Sequence, residues 1–320
     1  MKNLLIGVDL GGTNIAAGIV TADGEIIYKK STPTNLPQPE EAIENKIADL
    51  CRELCEEKNL ELGKDITFVG VGTPGSVDSR TGVVAFNANF GYSNWHIKDK
   101  LEALLGVTVG VENDANTAIV AEVVAGCAKG CSDAVILTLG TGVGAGVVIG
   151  GKVYSGFNQS GTEIGHMVVQ VGGRQCNCGR KGCFEKYAAA TALIYDTKIA
   201  MQNNPDSLLW KVCPDIDKVN AKTAFDAKEL GDETAIKVID TYIEYLACGI
   251  INVINIFQPE VLCLGGGVSN QKENLLAPVK AYIDREDYAR NIYNRTELKI
   301  ATFRNDAGII GAALLGVNND

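Results

Sequence analysis

Four residues able to ligate a soft divalent metal fall within a short stretch: His166, Cys176, Cys178 and Cys183. One imidazole and three thiolates are the ligand set of a closed tetrahedral zinc site. Such a cage orders a loop that is too small to bury a core, and in zinc-finger peptides the coupling reaches about 10–16 kcal/mol. Gly179 and Gly182 suit the tight ligand loops, because side chains resist the backbone conformations needed there. The expected ion is structural, one per chain. Two carboxylates flank the block. Glu163 precedes His166 by three positions and Glu185 follows Cys183 by two, so a bound metal would fix the orientation of both acids.

A second kind of chemistry is spelled by two glycine turns. Asp9-Leu10-Gly11-Gly12-Thr13-Asn14 lies early in the chain and Leu139-Gly140-Thr141-Gly142-Val143-Gly144 lies further on. Turns without Cβ atoms can offer several backbone N–H groups to an anion such as a phosphate, although a plain hairpin turn has the same composition. Asp9, at the end of an apolar run, is placed to hold a magnesium ion directly or through water. Neither a Gly-x-x-x-x-Gly-Lys-Ser/Thr loop nor a Gly-x-Gly-x-x-Gly loop opening a helix is present, which excludes the two commonest nucleotide signatures. Glu112-Asn113-Asp114-Ala115-Asn116 sits where a strand-like run meets a helix-like one. A carboxylate at that junction can accept a hydroxyl proton, and Asn and Asp are equally the favoured helix caps.

The elements that must carry these residues follow from the apolar patterning. Leu4–Leu10, Ile15–Val20 and Glu25–Lys30 read as three strands in meander order, with a hairpin turn at Ala22-Asp23-Gly24. The plan recurs from Asp133 onward: Ala134–Leu139, a glycine turn, Val143–Ile149, then Lys152–Tyr154. Two copies of one plan in one chain imply a duplicated domain. Helices are expected over Pro39–Lys58, Thr117–Val124, Glu233–Phe257 and Asp306–Val317. The third carries one apolar stripe, from Ile236 to Phe257, and is stopped by Pro259. Ala134–Gly151 has no charge over 18 residues, near the lower limit for a membrane span. Its glycines argue for two strands instead.

At 320 residues, 46% apolar and 21% charged, the composition is that of a soluble globular protein with room for two domains. A net charge of −10 disfavours nucleic acid as a partner. The opening Met1-Lys2-Asn3 does not resemble a signal peptide. With ten cysteines and no such signal, a reducing, cytoplasmic setting is expected, with no membrane partner. Cys51 and Cys55 share a helical face, but two ligands make no site.

These motifs, together with Gly72-Thr73-Pro74-Gly75, occur in an order that resembles the ROK family of sugar kinases and sugar-responsive repressors, over essentially the whole chain. The resemblance implies an α/β, actin-like ATPase (ribonuclease-H-like) duplicated fold with two domains around a cleft. The small domain would span residues 1–116 with 306–320, and the large domain 117–305. It implies ATP-dependent phosphorylation of a hexose, glucose first, with N-acetylmannosamine, fructose, allose or mannose as alternatives and a non-enzymatic sugar sensor as a third reading. Asp114 would be the catalytic base, and Asn89, Asn113, Asp114, Glu163, His166 and Glu185 would hold sugar hydroxyls. Asp9, Gly11, Gly12, Thr13, Asn14, Gly140, Thr141 and Gly142 would serve the phosphates and magnesium, with Gly265, Gly266 and Gly267 against the adenosine. Repressor members carry an additional N-terminal DNA-binding domain, whereas this sequence opens on its first core strand. A homodimer or homotetramer is expected. Ala88-Asn89-Phe90 departs from the family's usual Pro-Asn-Leu, and Ala188-Ala189-Ala190 from its usual Ser or Gly.

Overall fold

The structure, a computed structural model, describes residues 4–87 and 90–317. Asn89 lies outside the described residues. The chain forms two compact units, one of Met1–Ala134, Gly146–Thr162 and Thr302–Asp320, the other of Val135–Ala145 and Glu163–Ala301.

The first unit is organised on a five-stranded sheet. Its strands are β1 (Leu4–Leu10), β2 (Asn14–Thr21), β3 (Ile26–Pro33), β4 (Ile66–Thr73) and, after an insertion, β8 (Thr108–Asn113), in the order β3-β2-β1-β4-β8. The first three are an antiparallel meander; β4 runs parallel to β1 and β8 parallel to β4. Both faces of β1 are covered, which explains why its sequence is apolar throughout rather than alternating. Even positions Ile6, Val8 and Leu10 join Ile43, Ile47 and Leu54 of helix Glu40–Lys58 in the main core. On the odd face, Leu5 packs with Ile309 and Ala313 of helix Ala307–Leu314. That helix lies directly on the strands: a Cβ at Gly7 would collide with the Ile309 carbonyl, and one at Gly70 with that of Ala312. Asp9 is therefore an odd-face residue, beside the start of this helix.

The insertion forms a small antiparallel sheet, β5 (Ser76–Asp78), β6 (Val83–Asn87) and β7 (Tyr92–Trp95). Trp95 is buried, and its Nε1–H donates to buried Glu44 at 2.8 Å.

The second sheet has β9 (Ala134–Leu139), β10 (Val143–Ile149), β11 (Lys152–Val153), β12 (Val261–Gly265) and β13 (Glu297–Ile300) in the order β11-β10-β9-β12-β13. Third, second, first, fourth, last is the order of the first sheet as well. The repeat expected from two glycine-punctuated meanders is thus a repeat of the whole sheet plan. The uncharged run from Ala134 to Gly151 is two strands and the turn between them. Helix Glu233–Phe257, capped by the Asp232 carboxylate on Ala235 N–H at 2.7 Å, is long and apolar enough by composition to cross a membrane. Its stripe is instead core: Ile239, Leu246 and Ile250 are fully buried, and Tyr242 Oη donates to the Ala188 carbonyl at 2.8 Å.

The domain boundary expected at 116/117 falls inside helix Asp114–Ala125, which lies wholly in the first unit. The reason is backbone-to-backbone packing. A Cβ at Gly311 would strike the Thr117 carbonyl.

Candidate active site

In the first unit, β8 runs without a loop into helix Asp114–Ala125, so the residue at the junction is presented by a strand end and a helix start together. Asn113 is the cap. Its Oδ1 accepts from the N–H groups of Ala115 at 2.9 Å and Asn116 at 3.3 Å, and its Nδ2 donates to the Gly75 carbonyl at 3.0 Å. Gly75 holds a φ of 105°, a left-handed conformation that turns the chain after β4 and aims that carbonyl. Asp114 is the first helical residue. One carboxylate oxygen accepts from Ala115 N–H at 2.9 Å, and the residue is solvent-exposed. The protein packed around it still raises its pKa above the ordinary 3.8 by desolvation, against the lowering effect of its hydrogen bonds.

Behind the junction lies a buried acid. Glu112 accepts from Asn113 N–H at 2.8 Å and from Asn116 Nδ2 at 3.0 Å, and Asn116 Nδ2 also reaches Ser155 Oγ at 3.1 Å. Burial pushes Glu112 up in pKa, opposed by these donors. The arrangement fixes the peptide that carries Asp114.

Asp9 has its pKa raised to about 6, first by burial and then by the negative charge of Asp114. The start of helix Ala307–Leu314 abuts it: a Cβ at Gly308 would lie 2.7 Å from the Asp9 carboxyl carbon. Two carboxylates that repel each other are a site that a cation would relieve. The turn after Asp9 is closed by Gly11 N–H on the Asn14 carbonyl at 2.9 Å and by Thr34 Oγ1 on the Gly11 carbonyl at 2.7 Å. Gly12, Thr13 and Asn14 are exposed, and a Cβ at Gly12 meets nothing within 4 Å.

In the second unit the metal-ligand candidates converge. One ligand atom each from His166, Cys176, Cys178 and Cys183 lie within 4.8 Å of one another. Cys176 Sγ is 3.7 Å from His166 Nδ1, and the sulfurs of Cys178 and Cys183 are 3.6 Å apart. A tetrahedron with metal–sulfur bonds near 2.3 Å has edges of about 3.8 Å. The four residues therefore fit a zinc ion, with Nδ1 as the imidazole ligand. Glu185 opens a helical turn, Glu185–Ala188, and its Oε1 lies 3.2 Å from Cys176 Sγ, an S–H donor when that thiol carries no metal. Glu163 is exposed, just before the 3-10 turn Ile164–His166, and its carbonyl accepts His166 N–H at 3.0 Å.

Gly140-Thr141-Gly142 joins β9 to β10. Gly140 N–H donates to the Gly142 carbonyl at 3.0 Å, and Ala190 N–H donates to that of Gly140 at 2.8 Å. Gly265 ends β12, and Gly266, at φ 79°, abuts the Leu139 backbone. A 3-10 turn, Gly267–Gln271, follows.

The model of the ROK family matches residues 5–318. The chain belongs to the ROK family. Among its relatives, a glucokinase of Thermotoga maritima is 37% identical over 316 residues, spanning 98% of this chain and 96% of the relative. A glucokinase of Halalkalibacterium halodurans is 36% identical over 315 residues, with 97% and 94% covered. A crystal structure of a ROK family glucokinase from Streptomyces griseus, in complex with glucose and AMPPNP, superposes with a TM-score of 0.83 at 33% identity, covering 98% of each chain. The fold is the actin-like ATPase fold of ROK sugar kinases.

Within this ROK chain, the sequence left Asp114 and Asn113 as competing helix caps; the structure gives the cap to Asn113. Asn113 has both ends of its amide engaged inside the protein, so its visible contribution is to hold the junction. Glu112, Asn116 and Gly308 were not singled out. Gly308 is the second residue of its helix, set against an acid on the odd face of β1, and no local pattern marks that contact.

The Asp9 shift has a consequence for stability. A carboxyl with a raised folded-state pKa favours the folded state below its unfolded value and loses that contribution as pH rises through the folded value. In magnesium-free protein, Asp9 is thus expected to favour folding below pH 3.8 and to lose that effect as pH passes about 6. The rise from 3.8 to about 6 corresponds to at most about 3 kcal/mol. Asp9→Asn is expected to stabilise the ligand-free protein at pH 7.5 and to flatten its melting temperature between pH 5 and 7.5. Thermal melts with chelator present test this; a variant whose melting curve tracks wild type at every pH would contradict it.

Proposed function

We propose that this ROK protein is an ATP-dependent glucokinase, transferring the γ-phosphoryl group to the 6-hydroxyl of glucose. The observation that carries the reading is Asp114, an exposed carboxylate of raised pKa on a rigid strand-to-helix junction beside Asp9, in a chain similar over nearly its full length to glucokinases. Asp114 accepts the 6-hydroxyl proton as that oxygen forms its bond to phosphorus and the bond to ADP breaks. Such transfer depends on positioning and charge more than on covalent chemistry, so the junction's stiffness serves it directly.

The exposed turn at Gly12, in the first unit, and the open side of Gly140, in the second, each leave room for an ATP phosphate, and Gly265–Gly267 would serve the adenosine. Asp9 would hold magnesium, directly or through water; when bound it offsets phosphate charge. Glu163, Glu185 and His166 hold ring hydroxyls, and His166 does so through Nε2, since Nδ1 faces the sulfurs. Zinc on His166, Cys176, Cys178 and Cys183 would be structural.

An ADP-release assay across glucose, N-acetylmannosamine, fructose, allose and mannose is expected to give glucose the highest kcat/KM. No ADP release with any sugar would favour a sensor, and another sugar leading would reassign the substrate. The acids make a finer expectation. Removing one hydroxyl leaves an acceptor desolvated at ~1–3 kcal/mol, so glucose should exceed 2-deoxyglucose in kcat/KM by about 5- to 150-fold. Glu163→Gln or Glu185→Gln should narrow that ratio. If both variants match wild type for both sugars, neither acid reads the substrate.

A further inference from the structure

The two glycines of the second turn differ in what surrounds them. A Cβ built on Gly140 meets nothing within 4 Å, whereas one built on Gly142 falls 2.7 Å from Oε2 of Glu185. Neither has a left-handed φ, so backbone conformation requires glycine at neither position. Gly140 faces open space, where a side chain would obstruct an approaching anion. Gly142 faces a carboxylate.

Turn and acid share one frame. Ala190 N–H donates to the Gly140 carbonyl at 2.8 Å and Thr191 Oγ1 to the Thr141 carbonyl at 2.7 Å. Both donors lie at the start of helix Ala190–Asn203, which follows directly on the Glu185–Ala188 turn. On its other side Glu185 meets Cys176 Sγ at 3.2 Å, and Lys186 Nζ stands 3.8 Å from the same oxygen, Oε1. The carboxylate lies between a sulfur of the Cys/His cluster and the bare backbone of Gly142.

We propose that Gly142 is a positioning residue for Glu185, its missing side chain forming the seat of the sugar-reading carboxylate, so that glycine here serves sugar selection rather than phosphate approach. The inference rests on Glu185 binding the sugar. A Cβ contact under 3.0 Å forces a movement, and the flexible end of a glutamate yields more readily than backbone. A methyl group at position 142 therefore displaces the acid and leaves the turn in place. Misplacement of a binding group by a fraction of an ångström is enough to weaken substrate recognition.

The test uses the full chain as Gly142→Ala, Gly140→Ala and Glu185→Gln, with steady-state kinetics varying glucose and ATP separately and a melting temperature for each. Gly142→Ala is expected to raise the glucose KM by about tenfold or more, with the ATP KM within about twofold of wild type and the melting temperature unchanged. Gly140→Ala is expected to show the opposite split. A Gly142→Ala enzyme with wild-type glucose KM, or with its defect in ATP, overturns the proposal. So does a lowered melting temperature, since the turn rather than the acid would then have yielded. Glu185→Gln separates the two failures. If it leaves glucose kinetics untouched, the sugar role of Glu185 is wrong; if it alters them while Gly142→Ala does not, the seat is wrong.

Discussion

Asp114→Asn is expected to lower turnover by about 10²–10⁴-fold while glucose binding persists. The substitution is close to isosteric, and the fold gives it little to disturb. Asn113, not Asp114, caps the helix, and the bond from Ala115 N–H at 2.9 Å can end on an amide oxygen as well as on a carboxylate. What is lost is a group able to take a proton at neutral pH. The raised pKa of Asp114 makes it a stronger base than an ordinary aspartate, and the acid limb of the wild-type kcat/KM profile should lie above the usual carboxylate range. Steady-state rates and calorimetric glucose titration of the purified variant are the measurements. A variant with wild-type turnover would leave Asp114 as a helix-start residue and place the base elsewhere.

How much of this was legible in the sequence depends on the range of the interaction. The two meanders were, because a strand covered on both faces reads as an unbroken apolar run and glycine marks its end; β1, β9 and β10 match their expected bounds. Helix Glu233–Phe257 was, because one buried stripe imposes a period on the sequence. The cluster of His166 with three cysteines was, because loop ligands must be close in sequence. Contacts between distant segments were not. Strands β5 to β7 are short and are anchored by burial of Val77, Val84 and Trp95 in the main core, with Trp95 also bonded to Glu44 and Asn87 Nδ2 to the Pro74 carbonyl at 2.7 Å. No local pattern announces either bond. The choice between Asn113 and Asp114 as cap was invisible for another reason: both side chains suit the position, and only the register between β8 and the helix decides it. The packing that keeps helix Asp114–Ala125 in the first unit was not legible either, since glycine-mediated contact of two helices across nearly 200 positions leaves no periodic trace.

Residues that look alike in sequence differ in their surroundings. Gly140 and Gly142 carry one letter and share one turn, yet one borders open space and the other a carboxylate. Arg174 reads as one more charge in the cysteine block. In the structure its guanidinium lies over the rings of Tyr187 and Tyr195, pairs with Asp196, and donates to the Lys186 carbonyl at 2.9 Å. It ties the block to the helices beside Glu185.

Loss of the metal is expected to be the second large effect, with stability and activity falling together. Residues 170–181 have little regular structure and are mostly exposed, so few buried apolar contacts oppose the entropy of the loop. A four-ligand zinc site supplies that opposition, and its Cys176 touches Glu185 directly. Cys178 is the ligand to remove, because it is exposed whereas Cys183 is fully buried. Cys178→Ala breaks the ligand set without opening a cavity in the core. Wild-type protein, purified reduced, is expected to hold about one zinc per chain by elemental analysis. Cys178→Ala should hold far less, melt at a lower temperature and lose kcat/KM for glucose more than for ATP, as the loop that places Cys176 beside Glu185 loses its order. A wild-type protein without zinc would count against the site itself. A zinc-free variant with unchanged melting temperature and glucose kinetics would show that the cage neither orders the loop nor aims the acid.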